Sequence, residues 1–315
     1  EVSPIPFKRI PYKEAMLKYG SDKPDLRNPL LIEDLTTILS KSTFEPFKTL
    51  NIRGIKVDNI DKSNSWYKKI EEYIKSLGAT GMSYIKVNED MTFKSSIDKF
   101  LTDDLRKELI EKCHLNKGSA LFILADNKHK IDKLAGLLRT KLGNELDLIN
   151  KNKFEFCIIN DFPMYEYNEE ENTWDFGHNP FSMPKGGIEA LTKENMENVV
   201  AHQFDFVCNG YEMASGAVRN HNIEIMKKAF ELAGYTEEDV ENKFRSLYTA
   251  FQYGAPPHAG MAPGIDRILM LLQDEENIRE MVAFPLGANG SDQMMGCPNE
   301  VFEKQLRETH IKIRD

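Results

Sequence analysis

Apolar residues recur at helical spacing in several places along the chain. Trp66, Ile70, Tyr73, Ile74 and Leu77 share one face, with Ser63-Asn64-Ser65 ahead as cap chemistry and Gly78 as the stop. The same reading predicts helices over Lys13–Tyr19 and Asp103–His114, and a third marked by Ile131, Leu134, Leu138 and Leu142. Between them, "MSYIKV" (Met82–Val87) and the apolar run "ALFILAD" (Ala120–Asp126) read as strands, the second buried. Strands alternating with helices predict a compact α/β module over residues 30–142. It follows a mostly irregular segment, 1–29, that closes in the loop "GSDKPDLRNP".

From residue 143 the pattern changes. "FEFCIINDF" (Phe154–Phe162) and "EYNEEENTWDF" (Glu166–Phe176) predict a hairpin around an acidic tip. "QFDFVCNGYEM" alternates like a strand and carries a turn signal at Asn209-Gly210. Helices are expected at Ile223–Ala233 and around Val240–Phe251. The expected class is α+β, an antiparallel sheet with flanking helices over 143–315 plus the inserted α/β module. Ile265, Ile268, Leu269 and Leu272, with Met270 and Leu271, make a segment apolar on nearly every side, which reads as a buried helix after Pro263-Gly264. Arg267 then sits at a helix start, the electrostatically wrong end for a cation. Two readings are open on spacing alone. Either the arginine stem packs while its head reaches water, or an anion sits there, held by free N–H groups and Arg267 together.

Composition narrows the choices. At 315 residues, with 41% hydrophobic and 29% charged residues, the chain suits one large domain or two ordinary globular ones. A net charge of −9 gives no global basic footprint, which disfavours nonspecific nucleic-acid binding but leaves room for a local basic groove. Nothing approaches the ~18 apolar residues of a membrane span, and no signal-peptide pattern is visible. Cys113, Cys157, Cys208 and Cys297 are scattered without a CxxC pair, which argues against a zinc site or disulfide framework and fits the cytoplasm.

Candidate chemistry clusters in the last third. His178 lies in the loop "GHNPF"; Glu212 and Arg219 lie in the small-residue stretch "NGYEMASGAVRNH"; Arg267 has its glycine-rich approach. Each has a bland alternative: a structural loop histidine, strand-edge charges, a packed arginine stem. Ala214, Ser215, Gly216 and Ala217 leave room for a ligand against the backbone.

Five segments in order, "YGSDKPDLRNP", "HNPFSMP", "NGYEMASGAVRNH", "YGAPPHAGMAPGIDR" and "NIREMVAFP", with "MMGCPNEV" near the end, resemble the bacterial-type aspartyl-tRNA synthetases, a class II family. The resemblance covers essentially the whole chain. Residues 30–142 are similar to the insertion module of the bacterial enzymes. It implies an aspartate–tRNA ligase that uses ATP and Mg²⁺ to form aspartyl-adenylate and then charges tRNA-Asp, with tRNA-Asn a further possibility. It also implies a homodimeric parent enzyme. Arg267 matches the arginine that contacts ATP, with Gly264, Ile265 and Asp266 completing that turn. Glu212 matches the glutamate that binds ATP through Mg²⁺. Arg219 matches the arginine that grips the aspartate side-chain carboxylate, and His178 the histidine lining the aspartate pocket.

Departures from the family pattern are also visible. Asn179 stands where many relatives have a second histidine, and Ala262-Pro263 where a glycine- or aromatic-bearing turn is common. The first two class II motifs and the glutamine- and lysine-bearing loop for aspartate are not found, so the chain alone is expected to be inactive. The alternative is a noncatalytic nucleotide- or tRNA-binding paralogue. One geometric demand follows: Glu212 and Arg219, seven apart, point to opposite faces of a regular strand. If both line one site, a bulge or bend is expected near Ser215-Gly216.

Overall fold

Strand-forming residues from both zones assemble into two separate five-stranded sheets. The computed structural model describes residues 1–168 and 171–314; Glu169-Glu170, the tip of the expected acidic hairpin, lie outside the described residues. The chain opens with β1 (Lys8–Pro11) and α1 (Tyr12–Tyr19). It then builds one sheet from β2 (Ile32–Asp34), β3 (Asn51–Val57), β4 (Met82–Val87), β5 (Phe93–Lys94) and β6 (Ala120–Asp126). Helices α2 (Thr36–Leu39), α3 (Asn64–Ser76), α4 (Asp103–Cys113) and α5 (Lys128–Glu145) accompany these strands. The chain returns through β7 (Phe156–Asn160), the hairpin β8 (Tyr165–Asn168) and β9 (Thr173–Phe176), β10 (Gln203–Cys208) and β11 (Tyr211–Val218). Helices α6 (Ile223–Leu232), α7 (Glu237–Lys243) and α8 (Arg245–Gln252) precede β12 (Ala259–Pro263).

The module sheet runs β2-β3-β6-β4-β5 and is antiparallel throughout. Its α/β texture in sequence arises because both faces are covered, not because its strands run parallel. Ala120, Phe122 and Leu124 of β6 join Ile70, Ile74, Ile131 and Leu138 on one side. Leu121 and Ile123 join Leu105 and Leu109 on the other. Ser63 accepts a hydrogen bond from Trp66 N and starts α3 as its sequence predicts.

Helix α5 ties this sheet to the start of the chain. Gly20, at φ 67°, crosses α5 so closely that a Cβ there would lie 2.3 Å from the Asp132 carbonyl, and one on Gly136 would lie 2.4 Å from the Gly20 carbonyl. Both positions therefore require glycine. Arg139, buried, donates to the carbonyls of Leu30 (2.6 Å), Asn28 (2.7 Å) and Asp25 (3.0 Å). Burial pulls its guanidinium down to about 10, against the pull of Asp25 and Tyr19, and it stays charged at neutral pH.

The other sheet runs β1-β7-β10-β11-β12, with β1 parallel to β7 and the rest antiparallel. Phe154–Phe162 was expected in a hairpin with Glu166–Phe176. Instead β7 enters this sheet, because its alternating Cys157 and Ile159 complete a core with Ile10, Phe162 and Val207. The helix expected around Val240–Phe251 starts earlier, at a Thr236–Asp239 capping box, and breaks at Phe244. Phe244 packs against Phe181 and Phe230 at ring-centroid distances of 5.1 and 5.5 Å.

Glu1–Pro263 form one unit and residues 264–315 a second. The second contains α9 (Ile265–Leu272) and α10 (Glu303–Glu308). The expectation that α9 is buried does not hold: Met270 is covered, while Ile265, Leu269 and Leu272 are exposed. The pattern shows which positions are apolar but not which have a neighbour. Among the described residues no helix is long and apolar enough to cross a membrane.

Candidate active-site cleft

The irregularity demanded by Glu212 and Arg219 exists, but at Met213 and not at Ser215-Gly216. Val207 pairs with Glu212 while Phe206 pairs with Ala214, so Met213 is an extra residue in β11. This bulge reverses the parity of the strand. Glu212 thereby shares a face with Ser215 and Ala217, opposite Asp205 and Gln203 of β10. Gly216 contributes backbone only: a Cβ there would meet the Phe204 ring at 2.5 Å and the Gly260 carbonyl at 2.7 Å. Its smallness serves strand packing, whereas Ser215 and Ala217 border open space.

That space is a cleft of about 500 Å³, lined by residues including Gln203, Ser215, Ala217, Arg219, Asn179 and His258. Arg219 lies just past β11, its backbone N–H donating to the His258 carbonyl at 2.9 Å, and it bridges to Ser182. Its guanidinium carbon is 5.8 Å from the centre of the Phe181 ring. Among the described residues no carboxylate forms an ion pair with it. An arginine fork in a cleft, backed by an aromatic ring and left without a protein anion, can take a carboxylate in two parallel hydrogen bonds. His178 does not line this cleft. It packs edge-on against Phe162, 4.9 Å between ring centres, with Tyr12 6.4 Å away. Its neighbour Asn179 takes the lining position.

Beside the cleft lies a charge cluster that sequence reading missed. Lys23, from the loop after α1, places Nζ 3.5 Å from Glu212 Oε2, 3.6 Å from Asp205 Oδ2 and 2.5 Å from Asp22 Oδ2. Asp205 is 3% exposed, and its Oδ1 has no hydrogen-bond partner among the described residues. Burial pushes its carboxyl above the usual range and Glu212 adds to the rise, while Ser215 and Lys23 oppose it. Burial pulls the Lys23 ammonium down, but Asp22, Asp205 and Glu212 together leave it above its ordinary value. The signal for Asp205 was present in sequence: an aspartate at an alternating position between Phe204 and Phe206. Lys23 gave none, because its loop is distant in the chain.

In the second unit, α9 begins at Gly264, which offers no side-chain cap. The Arg267 stem curls back towards Gly264, so that a Cβ at 264 would touch its methylenes at 3.6–3.7 Å. A helix start with uncapped N–H groups and an adjacent guanidinium is chemically suited to a phosphate. No cluster of three or more His, Cys, Asp or Glu side chains capable of holding a metal occurs among the described residues.

The bulged strand β11 carries the carboxylate of Glu212, and Arg219, just past its end, lines the cleft. The model of the tRNA synthetases class II (D, K and N) matches residues 2–288, and the chain belongs to that family. It is 48% identical to the aspartate–tRNA(Asp/Asn) ligase of Rickettsia bellii, covering 99% of this chain and 54% of the relative. It is 47% identical to the aspartate–tRNA(Asp/Asn) ligase of Ehrlichia chaffeensis, with 98% and 53% covered. It is 46% identical to the aspartate–tRNA ligase of Streptomyces coelicolor, again with 98% and 53% covered. The chain thus spans about half the length of the curated relatives it matches.

Proposed function

We propose that this chain supplies the aspartate-recognising part of an aspartate–tRNA ligase. The observation that carries the reading is Arg219, which lines the cleft just past the bulged strand that carries Glu212 and has no carboxylate partner among the described residues. Arg219 grips the side-chain carboxylate of L-aspartate. Asparagine is rejected because its amide NH₂ faces donors that accept nothing. His178 supports that pocket through its packing on Phe162 and Tyr12, and Asn179 borders it.

In the reaction, an oxygen of the aspartate α-carboxylate attacks the α-phosphorus of ATP. The bond to the β-phosphate oxygen breaks, pyrophosphate leaves and aspartyl-adenylate forms. A hydroxyl of the terminal adenosine of the tRNA then takes the aspartyl group and AMP leaves. The protein contributes positioning and charge neutralisation. Arg267 and the N–H groups after Gly264 hold an ATP phosphate, with Ile265 and Asp266 completing the turn. Glu212 and Asp205 would suit Mg²⁺: both offer hard oxygen donors, and Asp205 Oδ1 is a buried acceptor without a hydrogen-bond partner among the described residues. When bound, the ion neutralises phosphate charge. Residues 30–142 form the insertion module of the bacterial enzymes, and the assembled ligase works in the cytoplasm as a homodimer. Relatives named as aspartate–tRNA(Asp/Asn) ligases make tRNA-Asp and tRNA-Asn both candidate partners.

Aspartate-dependent ATP–pyrophosphate exchange tests this reading. The 315-residue chain alone should show none. A chimera in which it replaces the matching part of the Rickettsia bellii ligase should show exchange well above background. Absence of exchange in a folded chimera favours the noncatalytic nucleotide- or tRNA-binding alternative.

A further inference from the structure

Lys23 is held where it is by more than its own charge. Its loop leaves α1 at the Gly20–Gly136 crossing, where a Cβ on either glycine would collide with the other's backbone. Farther along, Arg139 binds three of the loop's carbonyls, and Asn28 Nδ2 donates back to the Arg139 carbonyl at 2.9 Å. Arg27 pairs with Asp25 at 2.8 Å, and Lys23 N donates to Ser21 Oγ at 3.0 Å. The loop is fixed at both ends, and the one ammonium it carries into the sheet face meets two carboxylates from adjacent strands.

The distances distinguish a snug structural ion pair from a shared counter-ion. Lys23 is in direct contact with Asp22 at 2.5 Å but stands 3.5–3.6 Å from both Glu212 and Asp205. It lies close enough to offset their repulsion but does not use up the acceptor capacity of Asp205, whose Oδ1 has no partner among the described residues. We propose that Lys23 is an internal counter-cation for Asp205 and Glu212, standing in for the divalent ion and competing with it. This rests on the reading of Glu212 and Asp205 as the carboxylates that face the metal of ATP. Lys23 is a positioning residue: it holds the two carboxylates together in the absence of a divalent ion. When the ion enters, the ammonium withdraws onto Asp22. The α/β module, through Arg139, thereby sets how readily the nucleotide end of the site accepts its metal.

The test uses Mn²⁺ alone, titrated into the 315-residue chain and followed by the loss of its free-ion electron paramagnetic resonance signal. Lys23→Met should bind Mn²⁺ at least about fivefold more tightly than the unsubstituted chain, as expected on removing a like charge about 4 Å from the ion. Lys23→Arg, which keeps the charge, should stay within about twofold of the unsubstituted chain. Adding Glu212→Gln or Asp205→Asn to Lys23→Met should abolish the gain. Unchanged affinity in Lys23→Met, including no binding in either protein, overturns the proposal, as does a gain that survives loss of both carboxylates. If thermal denaturation shows Lys23→Met unfolded, Lys23→Gln takes its place with the same expectations. The exchange assay on the chimera is independent: it can fail while Mn²⁺ tightens, which separates an error in the ligase reading from an error about Lys23.

Discussion

Arg219→Leu, introduced into the chimera with the Rickettsia bellii ligase, should lower kcat/KM for L-aspartate in ATP–pyrophosphate exchange by at least about 10³-fold. The magnitude follows from removing a charge-assisted, two-point contact to a carboxylate in a site that water cannot fully replace. Folding should be nearly untouched, because the guanidinium forms no ion pair among the described residues and its backbone bond to His258 is retained. Arg219→Lys should fall between the two, since it keeps the charge but loses the fork. Steady-state exchange kinetics at varied aspartate, with a thermal melt on each variant, check this. A loss smaller than about tenfold in the leucine variant would remove Arg219 from the aspartate pocket.

The second large effect concerns stability. Arg139→Met should destabilise the chain by about 3–5 kcal/mol, because it leaves the carbonyls of Leu30, Asn28 and Asp25 buried or half-buried without their donor. Methionine fills much of the volume, so the loss reports the hydrogen bonds more than a cavity. Gly118→Ala makes a useful reference: its φ is also positive, at 73°, but a Cβ there meets nothing within 4 Å. It should cost about 1 kcal/mol. Urea denaturation of the three proteins gives the comparison, and equal midpoints for the two variants would contradict the role assigned to Arg139.

Much of this was legible because it is local. The cap at Ser63, the turn at Asn209-Gly210 and the buried run Ala120–Asp126 are decided by neighbouring residues, and the structure keeps them. The need for a bulge between Glu212 and Arg219 was also legible, since it follows from strand parity alone. Its position at Met213 was not. That lies in the pairing of β11 with β10, where Val207 meets Glu212 and Phe206 meets Ala214, a relation between strands and not within one. The destination of Phe154–Phe162 failed for the same reason. Alternation marks a strand, but pairing with Lys8–Pro11 is settled by a core whose members are nearly 150 residues apart. Of the site residues, Arg219 and Glu212 stood out by residue type in a stretch of small neighbours. His178 packs on Phe162, and its neighbour Asn179 lines the cleft. Lys23 was invisible because only the fold brings its loop to β10 and β11.

The proposal at the centre is an aspartate-selective cleft around Arg219. Pyrophosphate exchange by the chimera, run with saturating L-aspartate and separately with L-asparagine at equal ATP, tests it most directly. Exchange with aspartate should exceed that with asparagine by at least about 10³-fold, the discrimination expected when a fork is left facing an amide. Comparable exchange with the two amino acids, from a chimera that folds, would contradict it.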